Sequence, residues 1–182
     1  MDNNPHSEFL KWYEPLHERF VRYCSSRAFA LMETEDLVQE SILQTLQAFY
    51  RLEDKQKLLG FMIGVANNLV RQAKRRLKFK GEWDEKVLEK LEGRTHDPEI
   101  ALDVHYLLKA IQQLPEKQRE ALVLFEISGF NIKEISEIQT SSEGATKTRL
   151  SRARHQLKEL LAEDGSPMPL AKRLAVYASI LF

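Results

Sequence analysis

Residues 114–161 decide the fold of this chain, and they read LPEKQREALVLFEISGFNIKEISEIQTSSEGATKTRLSRARHQLKELL. Apolar residues recur here at intervals of three and four, which is the period of a helix with one buried face. Two short interruptions divide the stretch into three helices. The first contains Gly129, which ends a helix at little conformational cost, and the second is the polar turn Thr140-Ser141-Ser142. Three helices joined so tightly predict a helix-turn-helix.

Capping residues stand where these helices begin. Asn131 followed by Glu134 fits a capping box, in which each side chain bonds the other residue's backbone N–H. Ser142 is placed to cap the last helix in the same way, with its hydroxyl oxygen as acceptor. Local side-chain chemistry and hydrophobic period therefore predict the same boundaries.

The last predicted helix has one apolar face and a basic remainder. A wheel of 100° per residue groups the apolar side chains in one stripe: Thr146, Leu150, Ala153, Leu157, Leu160 and Leu161. Outside that stripe lie the basic side chains Lys147, Arg149, Arg152 and Arg154. No acidic residue occurs between positions 145 and 158, whereas a merely solvated face usually mixes both signs. The pattern indicates a helix that docks on DNA phosphates and groove edges.

The rest of the chain is also predicted to be helical, because glycine and proline are scarce and strand-like alternation is nearly absent. We predict an all-α protein of two small helical domains, residues 1–80 and 99–162, the second being the helix-turn-helix. An acidic linker with room for one short helical stretch, residues 81–98, joins them. The tail, residues 163–182, offers one short apolar helix from Leu170 onward.

The net charge is zero, which by itself argues against a protein that binds nucleic acid. The charges are, however, distributed unevenly along the chain. Residues 81–104 hold 8 acidic and 3 basic side chains, whereas residues 61–80 and 145–158 contain basic residues and no acid. Salt screens charges beyond about 10 Å, so the attraction between the protein and a polyanion such as DNA depends on the nearby charges and not on the net charge. Two separate basic tracts therefore remain candidates for binding DNA.

Two helices of the N-terminal half carry the remaining candidate sites. The helix predicted at residues 34–50 buries Val38, Ile42, Thr45, Leu46 and Phe49, and its opposite face presents an exposed Leu37 ringed by Asp36, Glu40, Gln44 and Gln47. Such a face is compatible with protein docking. The helix predicted at residues 58–79 begins with Phe61 and Met62, passes an amide pair and ends in a basic run. Aromatic and amide groups beside basic residues suit unstacked bases next to a phosphate backbone.

Together these pieces resemble the RNA polymerase sigma factors, specifically the small two-domain extracytoplasmic-function (ECF) group of the sigma-70 family. The resemblance covers about residues 8–161 and rests on EDLVQESILQTLQAF at 35–49, GFMIGVANNLVRQAKRR at 60–76, and the stretches 97–138 and 143–161. Its most specific parts are DLVQE, LPEKQRE and KTRLSRAR. The second motif departs from the family at Phe61, where tryptophan is usual, and at Met62, where leucine is usual.

The resemblance implies three sites and two partners, core RNA polymerase and promoter DNA, with no cofactor, metal or small-molecule substrate. The polymerase-binding site would comprise Asp36, Leu37, Gln39, Glu40 and Gln44. The site that melts and reads the −10 element would comprise the loop 52–59 with Phe61, Asn67, Asn68, Arg71, Lys74, Arg75 and Arg76. The site in the −35 major groove would comprise Glu143, Ala145, Lys147, Thr148, Arg149 and Arg152. The family is often held by an anti-sigma protein, and the resemblance permits that further partner.

Two other classes of function were weighed against this interpretation. A conventional helix-turn-helix regulator would bind a palindromic duplex alone and has no reason to carry both DLVQE and the basic ANN…KRR helix. An enzyme or a zinc protein is disfavoured, because the five histidines are scattered, the single Cys24 is an expected core residue, and no phosphate-binding glycine loop occurs. Without a signal peptide or a membrane-spanning run, we expect a cytoplasmic protein that is not an enzyme.

The apolar tail lies outside the resemblance and leaves three interpretations. Its face of Leu170, Leu174, Tyr177 and Leu181 fits a helix packed on the C-terminal domain, a docking segment for a regulator, or a helix lying on a membrane surface.

Overall fold

The computed structural model describes residues 5–78, 83–95, 97–162 and 168–181, and within these ranges every regular element is helical. The helices are α1 Pro5–Tyr13, α2 His17–Ala28, α3 Thr34–Ala48, α4 Leu58–Lys78, α5 Trp83–Thr95, α6 Pro98–Gln113, α7 Glu116–Leu122, α8 Ile132–Ile138, α9 Glu143–Leu161 and α10 Leu170–Leu181. Short 3₁₀ turns occupy Glu14–Leu16, Phe49–Arg51 and Lys55–Lys57, and a π-helical turn, Val123–Ile127, continues α7. The all-α prediction is confirmed.

The helix-turn-helix is built by the predicted caps. Asn131 and Glu134 form the capping box at the start of α8, with each side chain bonded to the other residue's backbone N–H. The Ser142 hydroxyl accepts a hydrogen bond from the Ala145 N–H at the start of α9. Gly129 has φ +74°, the left-handed conformation that only glycine adopts cheaply, and it separates the π-helical turn from α8. These local choices fix the angle at which α9 is presented.

The α3 helix packs between α2 and α4, and this corrects one expectation. Leu37, predicted to be exposed, is fully buried, as are Ser41 and Thr45, which follow it at intervals of four on the same line of the helix. The physical reason is that α3 has neighbours on two sides, so its buried face is wider than a single apolar stripe. The exposed leucine of α3 is Leu43, which is 50% exposed.

The acidic segment predicted as a linker forms a packed helix over residues 83–95. Val87 and Leu91 lie four residues apart on one face of α5, and both are fully buried, with α5 packed on α6. Burial of these two side chains stabilises the segment by roughly 1.5–3 kcal/mol each. The division into two domains stays a prediction, and the short helical stretch expected in the linker is a helix of 13 residues in the structure.

The last helix, α10, packs on both halves of the molecule. Leu174, Tyr177 and Leu181 are buried against α2, α5, α6 and the π-helical turn. Arg173 is only 1% exposed, and its guanidinium lies 3.7 Å from the Asp103 carboxylate of α6. The packed-helix interpretation of the tail is therefore confirmed in the structure, and the surface covered includes α2 as well as the C-terminal helices.

Candidate nucleic-acid and partner interfaces

The outer face of α9 carries the predicted −35 residues. Thr146, Leu150, Ala153 and Leu157 are at most 2% exposed, and they anchor the helix on the core as its apolar stripe predicted. Glu143, Lys147, Thr148 and Arg152 are exposed, whereas Ala145 and Arg149 are half-buried. The structure thus brings these six residues together on the first three turns of one helix, with Lys147 and Arg152 turned to solvent.

Arg149 is held in place by two residues outside the predicted −35 site, Gln139 and Ser141. Its Nη1 donates to Gln139 Oε1 at 2.7 Å and to Ser141 Oγ at 2.9 Å. Gln139 in turn donates from Nε2 to Glu120 Oε2 at 2.7 Å and to the Lys117 carbonyl at 3.0 Å. A fixed guanidinium loses less side-chain entropy when it binds than a mobile one. The turn before α9 therefore acts on the geometry of a predicted DNA contact.

The basic end of α4 presents most of the predicted −10 residues. Asn68, Arg71, Arg75 and Arg76 are exposed, and Phe61 and Lys74 are half-buried. Arg71 donates from Nη2 to Asn68 Oδ1 at 2.6 Å, and the Lys74 ammonium donates to the Gln112 side chain. The structure does not describe the side chain of Lys78 or any part of Lys80, which the sequence placed in the same basic run.

The loop before α4 is ordered by a single lysine. The Lys55 ammonium donates to the carbonyls of Phe49 and Leu52 and lies 4.1 Å from the centre of the Phe49 ring. The Asp54 carboxylate caps the following turn by accepting from the Gln56 N–H. The lysine contacts hold the loop against the turn that follows α3, where Tyr50 is 55% exposed.

Asn67 is set apart from the other predicted DNA contacts. Its side chain is 7% exposed; its Oδ1 accepts from the Tyr23 hydroxyl at 2.8 Å and from Arg27 Nη2 at 3.0 Å. Its Nδ2 donates to Glu120 Oε1 at 2.6 Å. Burial raises the pKa of Tyr23 well above its usual value, so the hydroxyl keeps the proton that it donates. In this arrangement Asn67 is an internal connector, which corrects the expectation that it faces bases.

Most of the predicted polymerase-binding residues share one face of α3. Asp36 and Gln39 are exposed, and Gln44 Nε2 donates to Glu40 Oε1 at 2.7 Å beside them. Leu37 lies beneath this face in the core. Leu43, which the sequence analysis overlooked, supplies the apolar group at its centre. The line Gln39, Leu43, Gln47 at intervals of four was the sequence signal that would have found it.

Comparison with known proteins assigns this chain to a family. Residues 105–157 match the family model described as sigma-70, region 4. The chain is 31% identical over 152 residues to the ECF RNA polymerase sigma factor EcfG of Rhodopseudomonas palustris, covering 78% of this chain and 82% of that protein. This chain belongs to the ECF sigma factors.

Other relatives agree with this assignment. The RNA polymerase sigma factor CarQ of Myxococcus xanthus is 30% identical over 131 residues, 71% of this chain and 75% of CarQ. The ECF RNA polymerase sigma factor SigD of Mycobacterium tuberculosis is 28% identical over 173 residues, 90% of this chain and 80% of SigD. No solved structure matches the chain with significance.

Membership of the ECF sigma factors implies RNA polymerase binding and promoter-directed initiation of transcription, and sigma factors are not enzymes. In the described ranges, no group of three or more histidine, cysteine or carboxylate side chains could hold a metal ion. Across the same ranges, none of the helices combines the length and apolarity that crossing a bilayer requires. The family assignment identifies the chain as a sigma factor rather than a conventional helix-turn-helix regulator or an enzyme.

Proposed function

We propose that this ECF sigma factor binds core RNA polymerase through the outer face of α3 and reads a promoter with two separate elements. The α9 helix enters the −35 major groove, and α4 with the loop before it opens and reads the −10 element. The observation that carries the proposal is the stretch of α9 from residue 145 to residue 158, which contains no acid and whose exposed cations stand on a helix anchored by four buried residues. The proposed site of action is the cytoplasm, where polymerase and promoter DNA meet.

The two elements contribute different kinds of interaction energy to promoter binding. Contacts of α9 with duplex DNA are chiefly phosphate and shape contacts, which set register. Opening at −10 costs a few kcal/mol per unstacked base, and stacking on side chains returns about 1–3 kcal/mol per base. Because the polymerase holds both DNA-binding elements in place, each of them can bind DNA weakly by itself. We therefore expect the free protein to bind promoter duplex poorly.

Paired variants separate the two proposed interfaces. Replacing Asp36 and Glu40 by lysine removes the acids of the α3 face and is expected to abolish binding to core polymerase. Lys147→Ala with Arg149→Ala is expected to leave core binding intact and to weaken use of the −35 element by about ten- to hundred-fold, because each phosphate or base contact is worth about 1–3 kcal/mol.

Both pairs are assayed by co-purification with core polymerase and by protection of a promoter fragment by the complex. The exposed pair Lys11→Ala and Lys172→Ala is the control and is expected to change neither readout. If the α3 pair bound polymerase as wild type does, the proposed docking face would be wrong. If the free protein protected a palindromic duplex tightly, a conventional regulator would fit better.

A further inference from the structure

The turn between α8 and α9 has a backbone that is fixed by hydrogen bonds. The Thr140 N–H donates to the Glu137 carbonyl at 3.1 Å, and the Ser141 N–H donates to the Ser136 carbonyl at 2.8 Å. This pair of bonds is a Schellman motif, in which glycine is usual at the left-handed position. Thr140 occupies that position with φ +49°, which is strained for a β-branched residue and is typical of functional sites. The fixed backbone sets the direction of the side chains on either side of Thr140, which belong to Gln139 and Ser141.

The Gln139 side-chain amide has only one satisfactory orientation. It is 6% exposed, and its Nε2 donates to Glu120 Oε2 at 2.7 Å and to the Lys117 carbonyl at 3.0 Å. Because a carboxylate and a carbonyl both accept, the NH₂ group faces them and Oε1 faces the other way. Oε1 accepts from Arg149 Nη1 at 2.7 Å. A rotated amide would set donor against donor in a buried position, so the Glu120 carboxylate fixes an acceptor in front of Arg149.

The Ser141 hydroxyl supplies a second acceptor. Arg149 Nη1 lies 2.9 Å from Ser141 Oγ, and the hydroxyl oxygen accepts because a guanidinium can only donate. The Ser141 hydrogen is then directed to Thr146 Oγ1 at 3.2 Å, and the Thr146 hydroxyl donates to the Ser142 carbonyl at 3.2 Å. This row of hydrogen bonds therefore has a single direction. Both hydrogens of Arg149 Nη1 are used inside the protein.

The opposite edge of the Arg149 guanidinium stays available. Among the residues that the structure describes, its Nε and Nη2 atoms have no hydrogen-bond partner, and both are open to solvent. These two nitrogens present parallel N–H groups on one edge of a rigid plane, which matches two acceptors side by side. Among the bases, only guanine presents such a pair in the major groove, at O6 and N7. A phosphate also offers oxygens, but it binds a mobile lysine as a point charge and requires no fixed plane.

We propose that Gln139 and Ser141 are positioning residues that hold Arg149 so that its Nε–Nη2 edge reads a guanine in the −35 element. This inference rests on the proposed function, because it requires α9 in the −35 major groove. A guanidinium fixed in advance loses little side-chain entropy when it binds the base. It also cannot turn toward another base or a phosphate without breaking two hydrogen bonds. The turn thereby gives Arg149 its selectivity for one base at one position.

The test is the base preference of transcription at each position of the −35 element. The probe is a genomic fragment that core polymerase transcribes with this sigma factor, together with versions that carry each of the four bases at each −35 position. Competitive run-off transcription measures the preference. The wild-type protein is expected to prefer guanine at one position by about ten- to hundred-fold, the discrimination of one bidentate arginine–guanine pair. Arg149→Lys keeps the charge without the forked donors and is expected to remove the preference at that position alone.

Ser141→Ala removes one of the two acceptors at a half-buried site. We expect the guanine preference to fall by about three- to ten-fold, at the same position that Arg149→Lys affects, as for the loss of one hydrogen bond. Ser141→Thr keeps the hydroxyl and is expected to keep the preference. Ser179→Ala removes an exposed hydroxyl of α10 and is the control, with no change expected. In the Arg149→Lys background, Ser141→Ala is expected to have no further effect on the preference, because Ser141 acts only through the guanidinium.

Gln139→Met tests the other acceptor. It keeps the length of the side chain but also takes a donor from Glu120, so the melting temperature is measured beside the base preference. We expect Gln139→Met to lower the guanine preference at the same position, whether or not the variant is less stable. A purely structural role of Gln139 would instead lower transcription by one factor for all four bases.

Two results would overturn the positioning role. One is a Ser141→Ala protein that keeps the wild-type preference or loses activity equally with every base. The other is a uniform loss in Arg149→Lys, which would show that Arg149 contacts a phosphate. In both cases transcription would still depend on the −35 sequence, and the proposed function would stand. If no base change in the −35 element altered transcription, the proposed function of α9 would itself be contradicted.

Discussion

Asn67 and Asn68 are adjacent in the sequence but lie on different faces of α4. One residue turns a helix by 100°, so Asn67 points at Tyr23, Arg27 and Glu120 while Asn68 points to solvent. Both amides look alike in a pattern of amides before a basic run. What separates them is the position of α2 and α7, which is a property of the tertiary fold.

This difference gives a matched pair of variants. Asn67→Ala leaves the buried Glu120 carboxylate short of a donor and is expected to lower the free energy of unfolding by about 1–3 kcal/mol. Asn68→Ala is expected to change it by less than about 0.5 kcal/mol and to slow promoter opening instead. Urea unfolding measures the first effect, and permanganate reactivity of the opened −10 bases measures the second. Equal losses of stability in the two variants would contradict the assignment.

Cys24 is a structural residue whose chemistry can be predicted. Its side chain is fully buried, and burial raises the pKa of the thiol well above its usual value, so no thiolate forms at neutral pH. We expect a thiol-specific disulfide reagent to react with the folded protein at least about hundred-fold more slowly than with protein unfolded in urea. Rapid labelling of the folded chain would show that Cys24 is accessible.

At the scale of elements, the sequence predicted the features that depend on interactions within one helix, such as its position and its capping residues. The hydrophobic period and the caps Asn131, Glu134 and Ser142 place α8 and α9 correctly, because each of these signals acts within one turn. The spacing of apolar residues could not show that α3 has neighbours on two sides, so Leu37 was wrongly predicted to be exposed. Val87 and Leu91 belong to a predominantly acidic segment, and only packing on α6 reveals that they are part of the core.

The hydrogen bonds that connect Asn67 through Glu120 and Gln139 to Arg149 could not be predicted for a related reason. They join residues 53, 19 and 10 positions apart, and side-chain polarity has no period that would reveal such pairs. The sequence identified Asn67 and Arg149 as functional candidates from their place on basic helices. Glu120 and Gln139, which connect these two residues, can be recognised only once the helices are packed together.

The α10 helix supplies a prediction at the same scale. Removal of residues 168–182 exposes the surface that Leu174, Tyr177 and Leu181 cover. Burial of one such side chain stabilises a protein by about 1.5–3 kcal/mol, and each kcal/mol shifts the melting temperature of a protein this size by about 2–4 °C. We expect the midpoint to fall by about 6–12 °C for a net loss of about 3 kcal/mol. Lys172→Ala, on the exposed face of α10, is the control, and an unchanged midpoint in the truncated chain would contradict the packing.

For the whole molecule, buried acids of high pKa predict an alkaline limit to stability. Burial raises the pKa of Tyr13 from 10.0 to about 12 and raises the pKa values of Cys24, Tyr23 and Tyr177 further. Between the ordinary and the raised pKa values, the folded state binds more protons than the unfolded state, so stability falls as pH rises.

We expect the free energy of unfolding attributable to these groups to be constant up to about pH 8 and to decline steadily from about pH 9 to pH 12. Urea titrations at a series of pH values measure it. The single variant Tyr177→Phe removes one of the four groups and is expected to make the decline shallower. A stability that rose with pH in this range would contradict the burial of these hydroxyls and of the thiol.

We propose above all that this ECF sigma factor directs core RNA polymerase to promoters, using α9 to read the −35 element and α4 with its preceding loop to read the −10 element. Run-off transcription with core polymerase on genomic fragments tests it most directly. We predict discrete transcripts that require both proteins, are lost with the α3 pair of variants, and are weakened by Lys147→Ala with Arg149→Ala. The absence of any transcript that depends on adding this protein to core polymerase would contradict the account.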